Sequence, residues 1–455
     1  MKVRNVLFCV MLVSWMGLGS AQRHAKVVSH DVIYVSPLGD DRDSGGKQYP
    51  LKTIHDAILL ARKEAQQGER QITIVVEPGV YHERVDIDHF SYPKTTLTLQ
   101  ASSPRVAIID GRGLQAHDGG LITIHNSDRI TVAGFVLQQD STDSPIETPM
   151  GIEVSGYDDQ VTLQNNTIRN IATRVRSAAG NAHGIGVYGD EVRPIQHLRI
   201  ENNSLYDLTL GSSESLALNG NVMGFLVKNN VIHNNNNIGI DVIGFEGTAP
   251  NRQLDRARDG EILDNLVYAI SSYGNPAYGN QYAADGIYVD GGTHILIVGN
   301  RVSGNDIGIE LASEHHDGNT SYITMFNNLM IDNFDVGLSL GGYDRKRGYT
   351  AYCTIRNNLI KNNDSLLSGD GQILFAFDVR HVQFEHNTII ARANDPVLLN
   401  PYKQNTDNVI NSNIYQNHDP LSTWVFQWKN KMYTGVEAYR QGTGNDSQSL
   451  FEERK

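Results

Sequence analysis

Cysteine is nearly missing from this chain: its 455 residues contain only Cys9 and Cys353. Cys9 lies in an N-terminal stretch that reads as a removable export signal. That leaves Cys353 alone and excludes a disulfide framework. Cys353 sits in an apolar strand phrase, so core packing is its expected role rather than nucleophilic chemistry. Positive charge is also short, with 38 Lys and Arg against 51 Asp and Glu and a formal net charge of -13. Such a balance excludes nucleic acid and broad polyanion surfaces as partners, though not a local basic pocket. Long apolar runs are confined to the N-terminus, so no membrane span is expected once the signal is removed.

Residues 1–21 have the layout of that signal. Lys2 and Arg4 precede an apolar run over residues 6–18, and Gly19-Ser20-Ala21 offers a cleavage site. A signal anchor is the alternative, but the run is short for a span. The expectation is a secreted or periplasmic monomer. Without disulfides, an exported chain must take its stability from a large core or a long hydrogen-bonded stack.

Helical periodicity is scarce as well. Ile54, Ala57, Ile58, Leu59, Ala61 and Ala65 recur at helix spacing, and Gly68 offers a stop. This helix falls in a segment, 22–80, expected to cap one end of a β structure, because an open sheet edge invites association. Asp40, Asp41 and Asp43 read as a solvated turn, with a calcium site as the alternative. At the other end, residues 418–455 carry Trp424 and Trp428, both tryptophans of the mature chain. With Phe426 and residues 433–439 they read as a last strand, an aromatic plug and a short capping helix. Sugar stacking is the alternative role for these rings.

Between the caps, over residues 81–417, one phrase repeats. A strand, an asparagine and another apolar pair recur at Asn166, Asn203, Asn230, Asn265, Asn300, Asn328, Asn358, Asn387 and Asn413. The spacings are 37, 27, 35, 35, 28, 30, 29 and 26 residues. No helical pattern separates the strands, which excludes βαβ units. Asparagine tolerates the left-handed backbone of a tight corner, and its amide can hydrogen-bond to its copy one coil away. Coils of this length with asparagine corners point to a parallel β-helix.

In these features the chain resembles the pectin-lyase-like superfamily of right-handed parallel β-helix proteins, which implies an all-β solenoid. Its opening, Tyr34-Val35-Ser36-Pro37 with Pro50-Leu51-Lys52-Thr53-Ile54, is similar to the N-terminal cap of family 9 polysaccharide lyases and several β-helical glycoside hydrolases. The resemblance spans nearly the whole mature chain and implies the fold; many chemistries share that scaffold. The Asp-Asp-Gly-Trp-Asp run of the lyase calcium site is absent. So is the Asn-Thr-Asp, Asp-Asp and Gly-His-Gly series of polygalacturonases, and neither active site transfers. Residues 230–348 resemble instead a subgroup of bacterial secreted β-helix proteins, which implies no particular activity.

Candidate chemistry concentrates in residues 230–340. The phrase Gly239-Ile240-Asp241-Val242 returns as Gly286-Ile287-Tyr288-Val289 and Gly308-Ile309-Glu310-Leu311, then fades into Gly337-Leu338-Ser339-Leu340. With Ile and Val inward, strand alternation turns Asp241, Tyr288, Glu310 and Ser339 outward, and Asp290 with them. Coils about 4.8 Å apart would put Asp241 and Glu310 roughly 10 Å apart. Long coils here imply an insertion after Asp241 and another before Tyr288, walling this face. A third long coil lies near His183.

Asp241, Tyr288, Asp290, Glu310 and His315 are the catalytic candidates. Glu246, Asp285, Glu314 and Asp344 are candidate metal ligands, because clustered carboxylates gather calcium, which acidifies the proton beside a uronate carboxylate. Arg256, Arg258, Arg345 and Lys346 are candidates for holding a sugar carboxylate. Tyr273, Tyr278 and Tyr282 could stack on sugar rings. Bland alternatives are a charged turn at residues 344–347 and an unliganded loop at Glu314-His315-His316. The expected function is cleavage of a polysaccharide, preferably by calcium-assisted β-elimination of an acidic glycan. The alternatives are a glycoside hydrolase pairing Asp241 or Asp290 with Glu310, and a non-catalytic carbohydrate-binding or cell-surface protein. A register slip of one residue would turn Asp241 and Glu310 inward.

Overall fold

The computed structural model describes residues 31–454, apart from 69 and 116. The export signal and Cys9 lie outside the described residues. Among the described residues there are two helices, and three sheets of 18, 13 and 13 strands run along the molecule. Strand pairing is parallel except where Val425–Trp428 meets Lys431–Thr434. Each coil adds a rung to every long sheet, so the chain winds as a parallel β-helix.

The core is a set of apolar ladders inside the coils. Ile240, Val242, Ile287, Val289, Ile309 and Leu311 are wholly buried, and each side chain so placed contributes about 1.5–3 kcal/mol. Cys353 belongs to this core, and burial pushes its thiol up to about 12.

At one corner the nine repeated asparagines stack. From Asn166 to Asn413, each Nδ2 donates to the Oδ1 of the next coil's asparagine at 2.9–3.2 Å. The left-handed backbone expected at these positions falls one residue earlier, on Asn165, Asn202, Asn229, Asp264, Asn327 and Asn357, with φ of 54–58°. Corner and ladder are thus divided between neighbours. A second ladder, not read from the sequence, links Asn305, Asn333, Asn363 and Gln372 at 2.7–3.3 Å.

Both ends are closed. Helix Ile54–Ala65 starts at Thr53, whose side chain accepts from Asp56 N at 3.2 Å. The Glu83 carboxylate accepts from Ile54 N and His55 N at 3.0 Å, placing an anion at the positive end of the helix. Leu59, expected in the apolar stripe, is half exposed. Asp41 accepts from Lys52 N and Thr53 N at 2.8 Å, and Asp40 pairs with Arg42, so these aspartates shape the cap. At the far end Trp424, Phe426 and Tyr439 are buried, with the Phe426 and Tyr439 rings stacked at 4.2 Å. After helix Val436–Thr443, strand Leu450–Glu453 returns to pair with Ile414–Asn417, a rung the sequence did not suggest.

Candidate active site

The repeated phrases stack in the expected register. Asp241 pairs with Tyr288, Tyr288 with Glu310, and Glu310 with Ser339. Their Ile and Val neighbours fill the core, so these side chains lie on the outer face. The column continues the other way through Ala217 and Gly186 to Glu153.

Simple alternation misses a second outward column. A Cβ at Gly239 would meet Val267 Cγ1 at 2.6 Å, and one at Gly286 would meet Val302 Cγ1 at 2.2 Å. The glycine position therefore faces the core beside Ile240 or Ile287. Two successive inward positions bend the chain, and close core packing leaves no space for a side chain at the bend. The residue before the glycine turns outward again. Asp285 and His183 precede such glycines, and Glu214 precedes Ser215 in the equivalent place.

Glu214 was not expected from the sequence, although aligning its strand on Leu216, as the others align on Ile240 and Ile287, would have revealed it.

Between Glu153 and Asp241 the outer face is open. Ala217 lines one cleft of about 310 Å³, and a second of about 350 Å³ shares Thr148 and Tyr188 with it, while Met150 and Tyr188 fill the space over Gly186. His183, Glu214, Asn219 and Glu246 line the first; Asp118, Glu153, Ser155 and Asp190 line the second. His183 Nδ1 lies 3.0 Å from the Glu214 carbonyl, which can only accept, so Nδ1 carries the proton. Nε2 then accepts from the Tyr188 hydroxyl at 2.7 Å. Burial pushes the imidazole down to about 4, which keeps it neutral. Glu214 moves the opposite way. Burial, then the nearby Glu246 charge, raise it to about 8.

Beyond Asp241 the face is covered. Asp241, Asp285 and Asp290 are buried and held well above the usual carboxylate range, first by desolvation and then by one another and neighbouring acids. Asp241 Oδ1 and Asp285 Oδ1 have no hydrogen-bond partner among the described residues. Asp285, expected as a metal ligand, instead shares a hydrogen bond with Glu310. Two carboxyl groups can do so only if one keeps its proton. Glu310 also accepts from Ser339 Oγ at 3.0 Å, and desolvation raises it to about 7. Tyr288 packs with Ile238 and Ala312.

The expected insertions are pinned by their own polar groups. Asp255 accepts from Gly247 N at 2.6 Å and Ala249 N at 3.0 Å. Asp306 accepts from Ser272 N at 2.7 Å and Ala284 N at 3.0 Å, while Asn275 Nδ2 donates to Gly211 O and Asn236 O. Arg256 and Arg258, expected to bind substrate, are consumed here. Arg256 donates to Gly292 O at 3.0 Å and Asn319 O at 2.7 Å, and Arg258 to Asn221 Oδ1 at 2.8 Å. Loop carbonyls need donors, and these guanidiniums supply them. Tyr273 and Tyr282 stack on each other at 4.8 Å, Tyr273 being exposed, and the Tyr278 hydroxyl accepts from Asn237 at 3.3 Å. Arg345 and Lys346 are exposed on the 341–348 loop, where Asp344 accepts from Lys346 N at 2.6 Å and so shapes a turn.

The candidate metal ligands regroup. Ligand atoms of Glu246, Asp290 and His315 lie within 4.8 Å of one another. Glu314 contributes only its backbone, N donating to Asp290 Oδ1 at 2.7 Å. Two carboxylates with an imidazole suit a transition metal better than calcium, which prefers six to eight oxygens.

A family model described as "Right handed beta helix region" matches residues 150–346 and 285–448. The chain belongs to that right-handed β-helix family. The "Uncharacterized protein YwoF" of Bacillus subtilis (strain 168) is 38% identical over 426 residues, which cover 93% of this β-helix and 88% of YwoF. Among solved structures, the A-module of mannuronan C-5 epimerase AlgE6 from Azotobacter vinelandii superposes with a TM-score of 0.54 at 13% identity. The match covers 87% of this chain and 93% of the module. A GH136 lacto-N-biosidase from Eubacterium ramulus gives 0.55 at 12% identity, covering 84% and 67%. At such identities these structures share the fold alone. Among the described residues, no helix of this β-helix is long and apolar enough to cross a membrane.

Proposed function

We propose that this β-helix is a glycan-cleaving enzyme acting by hydrolysis, with Glu214 as general acid and Glu246 as the opposing carboxylate. One observation carries the reading: both line the same open cleft, and burial holds the Glu214 proton up to about 8. A protonated Glu214 can deliver that proton to a glycosidic oxygen at neutral pH. Glu246 is exposed and steadied by Asn219 Nδ2 at 2.7 Å, available to activate water or attack the anomeric carbon. As the leaving oxygen takes that proton, the anomeric carbon of the other sugar develops positive charge, and the exposed Glu246 in the same cleft stabilises it. β-Elimination develops negative charge instead, and Arg256 and Arg258, which could offset it, are bound into loops. Elimination becomes the second reading only with a metal at Glu246, Asp290 and His315.

The test is incubation of the mature protein with a polysaccharide panel, reading reducing ends and the ultraviolet absorbance of unsaturated uronates. Reducing ends without that absorbance, lost in Glu214→Gln, support hydrolysis. Absorbance that disappears with chelator overturns it in favour of elimination.

A further inference from the structure

Resting on the hydrolytic reading, we propose that Glu246, Asp290 and His315 form a site for a divalent transition metal, and that an ion seated there stops hydrolysis by holding Glu246. Three successive coils supply one ligand each. Glu246 follows strand Ile240–Ile243, Asp290 ends strand Asp285–Asp290, and His315 follows strand Ile307–Ala312. The three strands are neighbours in one sheet. Their ligand atoms lie within 4.8 Å of one another. Zinc ligands sit about 2.0–2.2 Å from the ion and so roughly 3–4 Å apart, which asks the group to close by about an ångström. The exposed Glu246 and the half-buried His315, both on loops, make that move around a fixed Asp290.

The protein orients these side chains and leaves them free to bind. Asp290 is 4% exposed, and one of its oxygens accepts from Glu314 N at 2.7 Å. The other has no hydrogen-bond partner among the described residues. The same bond anchors the loop that carries His315, the next residue along. Its imidazole also has no hydrogen-bond partner among the described residues. One Glu246 oxygen is held by Asn219 Nδ2 at 2.7 Å, which leaves the second for a ligand. Partners of this kind aim ligands before an ion arrives. The imidazole sets this group apart from the other acids of the face, because it favours zinc or manganese over calcium and magnesium, which take oxygen. Glu246 lines the cleft, and Asp290 and His315 stand behind it. Bound to an ion, the Glu246 carboxylate neither attacks the anomeric carbon nor activates water. The ion also sets positive charge beside a carbon that is developing the same sign.

The test is calorimetry of the mature protein, free of any affinity tag, with zinc, manganese, calcium and magnesium, then turnover of a cleavable glycan with and without each ion. Zinc or manganese should bind one per chain, and calcium and magnesium should not. Saturation should cut turnover at least about tenfold, reversed by chelator. His315→Ala and His315→Gln should each weaken the ion at least about a hundredfold and remove the metal response of turnover, with thermal unfolding showing that both fold. A protein that binds none of the four ions overturns the site and leaves hydrolysis standing. Tight binding that survives both His315 variants overturns it too. Binding lost in both variants but without effect on turnover overturns the inhibition. Unsaturated-uronate absorbance that appears only with the ion overturns inhibition and hydrolysis together. Selective binding lost in both variants, with no glycan cleaved under any condition, supports the site and counts against hydrolysis.

Discussion

Replacing Glu310 by Gln should stabilise the protein at pH 8 and change little at pH 5. In the folded chain Glu310 keeps its proton to about 7, against an ordinary 4.5, because burial penalises its charge. Between those values the folded state binds more protons than the unfolded one, so stability is highest below 4.5 and falls as pH rises to about 7. The gap, at about 1.4 kcal/mol per pH unit, comes to about 3 kcal/mol at pH 8 and under about 1 kcal/mol at pH 5. Glutamine keeps the acceptor used by Ser339 Oγ and never ionises. An unfolding entropy of about 2 cal/mol/K per residue, over roughly 420 residues, converts 3 kcal/mol into a Tm rise of about 3 °C. Differential scanning calorimetry of both proteins at the two pH values is the assay. A variant less stable at pH 8, or shifted equally at both, would refute the reasoning. Glu310 would then be an ionised group held by its neighbours.

Other outcomes follow from the same structure. Activity on a cleavable glycan should fall as pH rises through about 8, when Glu214 loses its proton. Glu214→Gln should cost about 10²–10⁴ in kcat and abolish that alkaline limb. Asn265→Ala should cost several kcal/mol, on the order of 1–3 for each buried partner it strands, among them Asn230 N and Val227 O; urea unfolding checks this. Gly286→Ala pushes a methyl group to 2.2 Å from Val302 Cγ1 and should cost about 1–3 kcal/mol while disturbing Asp285. If hydrolysis needs no metal, chelator should leave turnover intact, whereas His315→Ala should abolish any manganese or zinc binding seen by calorimetry.

The fold was legible because its signals are periodic. Asparagines at coil spacing and Gly-Ile-x-Val phrases encode stacking directly, and Asp241, Tyr288, Glu310 and Ser339 follow from alternation alone. Where alternation breaks, reading from the sequence lost its footing. The inward glycine bend brings Glu214 and His183 onto the face, and a period of two cannot represent it. Partners were equally invisible. Arg256 and Arg258 look like free cations in a row of letters, and only the folded loops show them donating to Gly292 O, Asn319 O and Asn221 Oδ1.

The two halves of the outer face divide the labour that the sequence assigned to one. Past Asp241, side chains such as Tyr288 and Ile238 and the pinned insertions bury the acids, so Asp285 and Glu310 share a proton there. Before it, Ala217 replaces a large side chain in the same column, and the face opens into a cleft there. Glu214 stands at that boundary, buried enough to keep its proton and placed where a ligand can reach it. A buried acid beside open space has the two properties a general acid needs. The exposed Glu246 acts on it through its field: that charge favours the protonated form of Glu214, and Glu246→Gln should lower the pH at which the remaining activity falls.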